Sequence, residues 1–164
     1  MKTHEEYMEL ALEEARKAEE IDEVPVGCVI VCDGEVISRG HNLKEQLNQA
    51  YAHAEMIAIQ KAAEVKGNWC LNDCDLYVTL EPCMMCTGII NLSRIRTVYY
   101  GTTDPKGGCL ETIIDLKKIN RLNHYPNIVG NILQKECSEI LTNYFRKKRE
   151  IIKEKKQKNK ANIQ

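Results

Sequence analysis

The spacing of apolar residues changes several times along this 164-residue chain, and this alternation restricts the fold more than any other feature. Residues 3–20 carry apolar side chains three and four positions apart, which predicts an amphipathic helix. A nearly continuous apolar run follows at 25–31, and Asp33-Gly34 then predicts a tight turn into a second strand over 35–39. The chain therefore begins with a helix followed by a β-hairpin.

The alternation continues to the C-terminal end. Residues 40–51 show no period and predict a loop, and the helical period returns over 52–66, before Gly67. The remaining predicted elements are a strand at 75–80, a helix at 82–92, a strand at 97–100, a weak helix at 111–119, a strand at 128–133 and a helix from 135 onward. Because helices and strands are interleaved without a repeat or linker, we predict an α/β fold. It has three layers, α/β/α, with a mixed, roughly five-stranded central sheet covered by helices on both faces.

Composition excludes several classes of protein. The chain is 43% hydrophobic and 29% charged, as in an ordinary globular domain and unlike collagen-like or fully disordered chains. No segment approaches the roughly 18 apolar residues that a transmembrane helix needs, and residues 1–6 lack the apolar core of a secretion signal. The eight cysteines are then expected to be thiols or metal ligands. We therefore expect a cytoplasmic protein without a membrane partner.

Positive charge is concentrated at the C-terminal end. The chain has a net charge of −1, but the segment from Tyr144 onward contains nine basic residues and only two acidic residues, Glu150 and Glu154. The nine are Arg146, Lys147, Lys148, Arg149, Lys153, Lys155, Lys156, Lys158 and Lys160. We predict one domain over 1–152 and a basic, flexible tail over 153–164. Either a polyanionic partner or a solubilising helix end accounts for this charge.

Two short motifs begin the two central predicted helices, His53-Ala-Glu55 and Pro82-Cys-Met-Met-Cys86. Cysteines three apart on a helix lie on one face, so both sulfurs can reach one metal ion. Helix N-termini carry partial positive charge, which favours the thiolate form that binds metals. Two thiolates and one imidazole suit zinc, and three protein ligands leave a fourth position open for water, as in catalytic zinc sites. Glu55 is placed to carry a proton, so the motifs predict hydrolytic attack on an unsaturated carbon.

The two motifs resemble the His-x-Glu and Pro-Cys-x-x-Cys signature of the zinc nucleobase deaminases, which have the cytidine deaminase-like fold. Further segments resemble the bacterial tRNA-specific adenosine deaminases within that superfamily. They are found at 23–27, 40–42, 52–56, 76–86, 93–95 and 104–107, and the likeness continues over 137–149. Only the last dozen residues lie outside the resemblance. The chain departs from the family pattern at 48–52 and 110–112, in predicted loops that could face RNA.

The resemblance implies an activity: zinc-dependent conversion of the wobble adenosine in an arginine tRNA to inosine. It implies a homodimer that binds the tRNA anticodon stem-loop and holds one Zn²⁺ per subunit. His53, Cys83 and Cys86 would bind the ion, and Glu55 would carry protons. The implied substrate-binding residues are Asn42, Pro25, Val26 and Ala54 around the base, Asp104 and Lys106 beside the neighbouring nucleotides, the aromatic pair Tyr144 and Phe145 against the anticodon loop, and Arg146 and Arg149 on phosphates.

Several residues have a second interpretation. Asn42 and Asp104 are also typical turn formers, and Tyr144 and Phe145 lie on the apolar stripe of the last helix, where they could pack in the core. Two other functions remain open: a deaminase of a free base or nucleoside, of guanine or cytosine type, and a non-catalytic zinc-stabilised RNA-binding module. The basic C-terminal segment argues against the first alternative, and Glu55 argues against the second.

The remaining cysteines raise the question of a second metal site. Cys28, Cys32, Cys70 and Cys74 could in principle form a four-cysteine zinc site, although the extended geometry of strands spreads their sulfurs apart. Cys109 and Cys137 are predicted to be buried free thiols.

Overall fold

The computed structural model describes residues 1–163, and in it helices cover both faces of a five-stranded sheet. The elements are α1 His4–Glu20, β1 Gly27–Cys32, β2 Glu35–His41, α2 Lys44–Leu47, α3 Ala54–Lys66, β3 Cys74–Leu80, α4 Met84–Leu92, β4 Thr97–Thr102, a 3₁₀ turn at Leu116–Lys118, β5 Asn127–Val129 and α5 Gln134–Ile163. The predicted three-layer α/β/α architecture is confirmed.

The sheet is mixed, and its topology brings several loops to one edge. Its strand order is β2-β1-β3-β4-β5; β1 is antiparallel to β2 and β3, whereas β3, β4 and β5 are parallel. Gly27 at the start of β1 pairs with His41 at the end of β2, and Leu80 at the end of β3 pairs with Thr102 at the end of β4. The segment entering β1 and those leaving β2, β3 and β4 therefore meet at this edge.

Strand side chains alternate between the two faces, and each face has its own helices. Val29, Val31 and Tyr77 pack on one face with α1 and with Cys137 of α5. The next residues along the same strands face α3 and α4 on the other side. That core includes Cys28, Ile30, Ala54, Ala58, Leu76, Val78, Ile90 and Val98. The start of α3 is thereby buried against the centre of the sheet.

Gly40 allows α3 to approach β2 closely. A Cβ atom at this position would lie 2.6 Å from the carbonyl oxygen of Ala54 and 2.9 Å from the backbone nitrogen of Ala58. Both neighbours are backbone atoms, so a side chain could be accommodated only if the helix moved. The glycine therefore helps to place the first turn of α3 at the edge where the loops meet.

Three short segments differ from the sequence prediction. The predicted loop over 40–51 contains the end of β2 and the one-turn helix α2, which Asn48 ends with a left-handed φ of 52°. The weak helix predicted over 111–119 is reduced to a 3₁₀ turn. The last strand ends at Val129 rather than 133, because Asn131 and Leu133 adopt positive φ angles of 64° and 52°.

The segment predicted as a basic tail over 153–164 is helical as far as the structure describes it. Helix α5 continues through Ile163, whereas Gln164 lies outside the described residues. Residues 151–163 are all exposed, so no packing holds this part of the helix. Its lysines, glutamate and glutamine are good helix formers, and Glu154 precedes Lys158 by one turn, a favourable order of charges. None of the helices in residues 1–163 has the length and apolar character needed to cross a membrane.

Candidate metal centre and substrate cavity

The two motifs meet where α3 and α4 begin. His53 is the residue that precedes α3 and Cys83 the residue that precedes α4, while Cys86 lies in the first turn of α4. Neither His53 nor Cys83 uses its side chain to cap its own helix. Both side chains are therefore available to a ligand, beside the positive ends of two helix dipoles.

The geometry of these three side chains fits a zinc ion. The Nδ1 atom of His53 lies 3.6 Å from the sulfur of Cys83 and 3.6 Å from the sulfur of Cys86. A tetrahedral zinc ion with ordinary Zn–N and Zn–S bonds holds such atoms about 3.5 Å apart. The possible metal-ligand atoms of these three side chains all lie within 4.8 Å of one another. Within residues 1–163, no other histidine, cysteine, aspartate or glutamate belongs to this group. The set matches a catalytic zinc site with three protein ligands.

Hydrogen bonds among the ligands favour a thiolate. The Cys83 sulfur accepts hydrogen bonds from Cys86 and from His53, which lower the pKa of Cys83 to about 4; the bond from Cys86 has the larger effect. The same bond to Cys83, reinforced by burial, raises the pKa of Cys86, and the contact with Cys83 raises the pKa of His53. Since metals bind the thiolate, Cys83 is prepared for coordination by its neighbours.

Glu55 is a buried acid beside this centre. It lies in the first turn of α3, two residues after His53, and only 4% of its surface is exposed. Burial raises the pKa of its carboxyl group to about 7. A carboxyl group that titrates near neutrality can both accept and release a proton at that pH, which suits a general acid–base role.

The centre opens into a cavity of about 170 Å³. This is below the roughly 300–1,000 Å³ of sites for drug-sized ligands, so the cavity suits one small ring system. The wall contains His53, Glu55, Cys83, Val24, Val26, Asn42, Lys44, Ala54, Leu80, Glu81 and Asp104. The loops from the converging sheet edge thus supply most of the wall.

Four of the predicted substrate-binding residues line this cavity: Val26, Asn42, Ala54 and Asp104. Pro25 is buried outside the lining, and Val24 takes part in its place. Asn42 lines the cavity and also makes the local hydrogen bonds of a turn-forming residue. Its amide nitrogen donates to the carbonyl of Val24 at 3.3 Å and its amide oxygen accepts from the backbone of Lys44 at 3.2 Å, so it shapes the loop as well as the wall.

The other predicted contacts lie along a neighbouring depression. Lys106, Phe145 and Arg149 line it, together with Asp104, which also belongs to the cavity. Tyr144 is buried, and its hydroxyl donates to the carboxylate of Asp22 at 3.1 Å. Of the aromatic pair, Tyr144 is therefore packed inside the protein, whereas Phe145 lies at the surface with 44% of its area exposed. Arg146 is exposed and bonds to Asn143.

Glu81 is a functional candidate that the sequence analysis missed. Its Oε2 atom accepts from the backbone N–H groups of Leu110, Glu111 and Thr112, at 3.2, 2.9 and 3.1 Å. Its Oε1 atom accepts from the hydroxyl of Thr112 and the backbone of Asp104. The carboxylate therefore anchors the loop that carries Asp104. An acid at the end of a buried strand, before the Pro-Cys motif, was the only sequence signal of this role.

A second group of possible metal ligands lies at the opposite end of β3. Cys32 and Cys74 are cross-strand partners, and their sulfurs lie 3.4 and 3.5 Å from the carboxylate of Asp73. The Lys66 ammonium bonds to this carboxylate and lies 3.5 Å from the Cys32 sulfur. Cys70 does not belong to the group, and Cys28 pairs with Val78 farther along the sheet. The structure therefore does not assemble the four-cysteine site. Cys109 and Cys137 are buried free thiols, as predicted.

Comparison with known proteins agrees with this geometry. Residues 1–102 match the family described as the cytidine and deoxycytidylate deaminase zinc-binding region. The chain is 48% identical to a tRNA-specific adenosine deaminase of Bacillus subtilis, over 87% of this chain and 89% of the relative. A solved structure from a study of A-to-I editing by tRNA:A34 deaminases superposes with a TM-score of 0.80 and 47% identity, over 83% of this chain and 99% of that one.

A guanine deaminase from Bacillus subtilis is more distant, with a TM-score of 0.60 and 38% identity over 62% of this chain and 66% of that one. The tRNA deaminases match more of the sequence and superpose better than this free-base enzyme. Together with the cluster of one imidazole and two thiols and the buried glutamate beside it, these similarities show that the chain belongs to the cytidine and deoxycytidylate deaminase family, within its tRNA-specific adenosine deaminase group.

Proposed function

We propose that this protein catalyses hydrolytic deamination of the wobble adenosine in a tRNA anticodon loop, giving inosine and ammonia. The observation that carries the proposal is the meeting of three zinc-binding side chains and a buried carboxyl group in a cavity of single-base size. The similarity to tRNA-specific adenosine deaminases supports adenosine in RNA as the substrate.

His53, Cys83 and Cys86 would hold the zinc ion, which supplies the Lewis acidity that makes water a nucleophile near neutral pH. Glu55 accepts the proton from the water that attacks C6 of the adenine and delivers a proton to N1. It then takes the second proton from the hydroxyl group newly bonded to C6 and passes it to the amino group, so that the C6–N bond breaks, ammonia leaves and C6 keeps the oxygen as the carbonyl of inosine. Its burial beside the cavity holds the carboxyl group within reach of both positions.

The remaining cavity residues orient the base and exclude water. Asn42 offers its amide to the edge of the flipped base, while Val26 and Ala54 contact its faces. Asp104, Lys106 and Phe145 meet the nucleotides beside it, and Arg149 contacts phosphate. Pro25, which is buried and directly precedes Val26, helps to shape the segment at the wall. Tyr144 ties α5 to Asp22 through its hydroxyl group, and Arg146 adds positive charge to the exposed surface.

We infer one zinc ion per chain. The second ligand group, Cys32, Asp73 and Cys74, already contains the positive charge of Lys66, which bonds to both Asp73 and Cys32. An ion entering there would have to displace this ammonium group. Within residues 1–163, no lysine or arginine side chain hydrogen-bonds to the His53 group; Lys44 lines the same cavity but influences His53 only electrostatically, through space.

The active unit is proposed to be a homodimer. The outer face of α3 and α4 presents an apolar patch that includes Met56, Ile59, Trp69, Ile89 and Leu92. Trp69 and Leu92 are 65% and 64% exposed in the single chain. Exposed apolar patches of this kind are typical of protein interfaces, and a second copy of the chain would cover it.

Residues 1–152 are proposed to form the catalytic domain, with 153–164 as a basic, flexible C-terminal tail. All eight cysteines are free thiols in the structure, which suits a reducing compartment. We accordingly place the reaction in the cytoplasm, where tRNA is available.

An assay with four substrates tests the activity. The protein is incubated with an anticodon stem-loop that contains a wobble adenosine and, separately, with free adenosine, cytidine and guanine. Inosine formed only in the RNA supports the proposal. Product only from a free base would identify the chain as a base or nucleoside deaminase, as the similarity to guanine deaminase allows. RNA binding without any product would identify a non-catalytic zinc-stabilised module.

A further inference from the structure

One face of α5 carries a row of basic residues. Arg149, Lys153, Lys156 and Lys160 follow one another at intervals of four, three and four, which places them on the same side of a helix. All four are exposed, and they line one shallow groove on the helix surface with Ile152 and Gln157. Neither acidic residue of this segment, Glu150 or Glu154, lines the groove. We refer to these four basic residues as the basic stripe.

The basic stripe is continuous with the catalytic cavity. Val24, Leu80 and Asp104 line both the cavity and the neighbouring depression, and Arg149 lines both that depression and the groove of the stripe. At 1.5 Å per helical residue, Lys160 lies about 16 Å beyond Arg149. The basic stripe therefore reaches well beyond the cavity and the depression beside it.

The charges of the stripe are not neutralised within the chain. Lys148, on another side of α5, pairs with Asp22 at 2.6 Å. In contrast, no ion pair within residues 1–163 involves Arg149, Lys153, Lys156 or Lys160. Four unpaired cations in a row, on a helix whose residues 151–163 are all exposed, are suited to a ligand with regularly spaced negative charges.

Resting on the proposed function, we propose that the basic stripe binds backbone phosphates of the duplex stem that adjoins the anticodon loop. The cavity would then take the base while α5 holds the stem, so the substrate includes a duplex as well as a loop. Recognition of this kind follows phosphate position and duplex shape and does not depend on the sequence of the stem.

An acidic membrane surface is a less suitable ligand for the same helix. A helix that lies in a membrane interface needs a broad apolar face opposite its charges. On α5 the opposite face carries three further exposed lysines, Lys147, Lys155 and Lys158. Positive charge on both faces is compatible with an exposed arm beside a nucleic acid, and it opposes insertion among lipids.

These two sets of lysines provide a matched experiment. The stripe variant K153Q/K156Q/K160Q and the control variant K147Q/K155Q/K158Q remove the same charge from the same helix, and glutamine preserves helix propensity.

Binding of each full-length protein to an anticodon stem-loop is measured over a range of salt concentrations. Each phosphate contact contributes about 0.7–0.9 to the slope of log K against log salt. We expect the stripe variant to lose about 2–3 from this slope and to bind at least tenfold more weakly at low salt, while the control loses less than 1.

Two further measurements locate the contact. An unpaired oligonucleotide with the loop sequence alone should bind wild type and stripe variant with the same affinity, and saturating stem-loop should be deaminated at an unchanged kcat. Equal losses for both lysine triples, or an equal loss on the loop oligonucleotide, would overturn the proposal. So would loss of binding to phosphatidylglycerol vesicles with RNA affinity retained. If wild type makes no inosine, the proposed function fails, yet the slopes still decide whether the stripe binds the stem.

Discussion

At the scale of single residues, the burial of Glu55 and its position beside the cavity both support its proposed role as the proton carrier. Its carboxyl group is almost fully buried, faces the cavity and is not one of the three clustered donor residues. We expect Glu55→Gln to lower kcat by about 10²–10⁴, because a carboxamide has nearly the same shape but cannot carry the proton. Inosine formation and zinc content are measured together. The exposed Glu64→Gln variant, on the same helix, should be fully active, and an active Glu55→Gln enzyme would remove the proposed proton carrier.

The two cysteine groups make different predictions for metal content. Cys83→Ser removes one of three ligands, so the purified protein should lose its zinc and its activity. Cys32→Ser should keep one ion per chain, because Lys66 already neutralises the second group. Metal analysis of both variants and of wild type checks this. Two ions in wild type, falling to one in Cys32→Ser, would contradict the single-site proposal.

The residues that could be predicted from sequence are those whose chemistry depends on close spacing. Cys83 and Cys86 lie three apart, and His53 and Glu55 two apart, so the local motif already defines their roles. The distances in the structure fit those of zinc ligands. Glu81 could not be predicted in the same way, since its partners are 23–31 positions away in sequence and are brought to it only by the fold.

At the scale of elements, Glu81 ties the loop after β4 to the end of β3. We expect Glu81→Gln to lower the free energy of unfolding by about 1–3 kcal/mol, because the amide has only one accepting oxygen, so that either the N–H groups of residues 110–112 or the N–H group of Asp104 loses its acceptor. The same change should raise KM for RNA through the displaced loop. Urea denaturation and hydrogen exchange at these three amides measure the two effects. The control Glu111→Gln, which keeps an acceptor for Tyr100, should change stability by less than half as much.

The elements that sequence predicted best are those with a long apolar pattern. Helices α1, α3 and α4 and strands β1 to β4 bury one side or both, so their periods are visible in the sequence. Helix α2 has four residues, too few to show a period, and was not predicted; strand β5 was predicted at 128–133 but ends at Val129. The exposed end of α5 consists mainly of charged and polar residues without an apolar pattern, so the sequence predicted only a basic tail there.

At the scale of the whole molecule, the single chain leaves two surfaces without partners, and they lie on different layers. The basic stripe belongs to α5 on one side of the sheet, whereas the apolar patch belongs to α3 and α4 on the other. A second chain bound at the patch would therefore leave the stripe free for RNA. The starts of α3 and α4 also carry the proposed zinc ligands, so dimer formation would stabilise the two helices that position them.

This arrangement predicts the effect of a charge in the patch. Leu92→Glu places a carboxylate where the second copy would pack, and we expect the dimer to weaken by at least about thirtyfold, the effect of losing a strong interface contact. Sedimentation at micromolar concentration should then give the 18.8 kDa monomer in place of twice that mass.

Ile151→Glu, an equal change at an exposed position of α5, should remain a dimer. If both variants and wild type sediment as monomers, the patch has another partner; if Leu92→Glu stays dimeric, the interface lies elsewhere. Zinc content in the monomeric variant separates loss of the interface from loss of the fold, because the ligands come from a single chain.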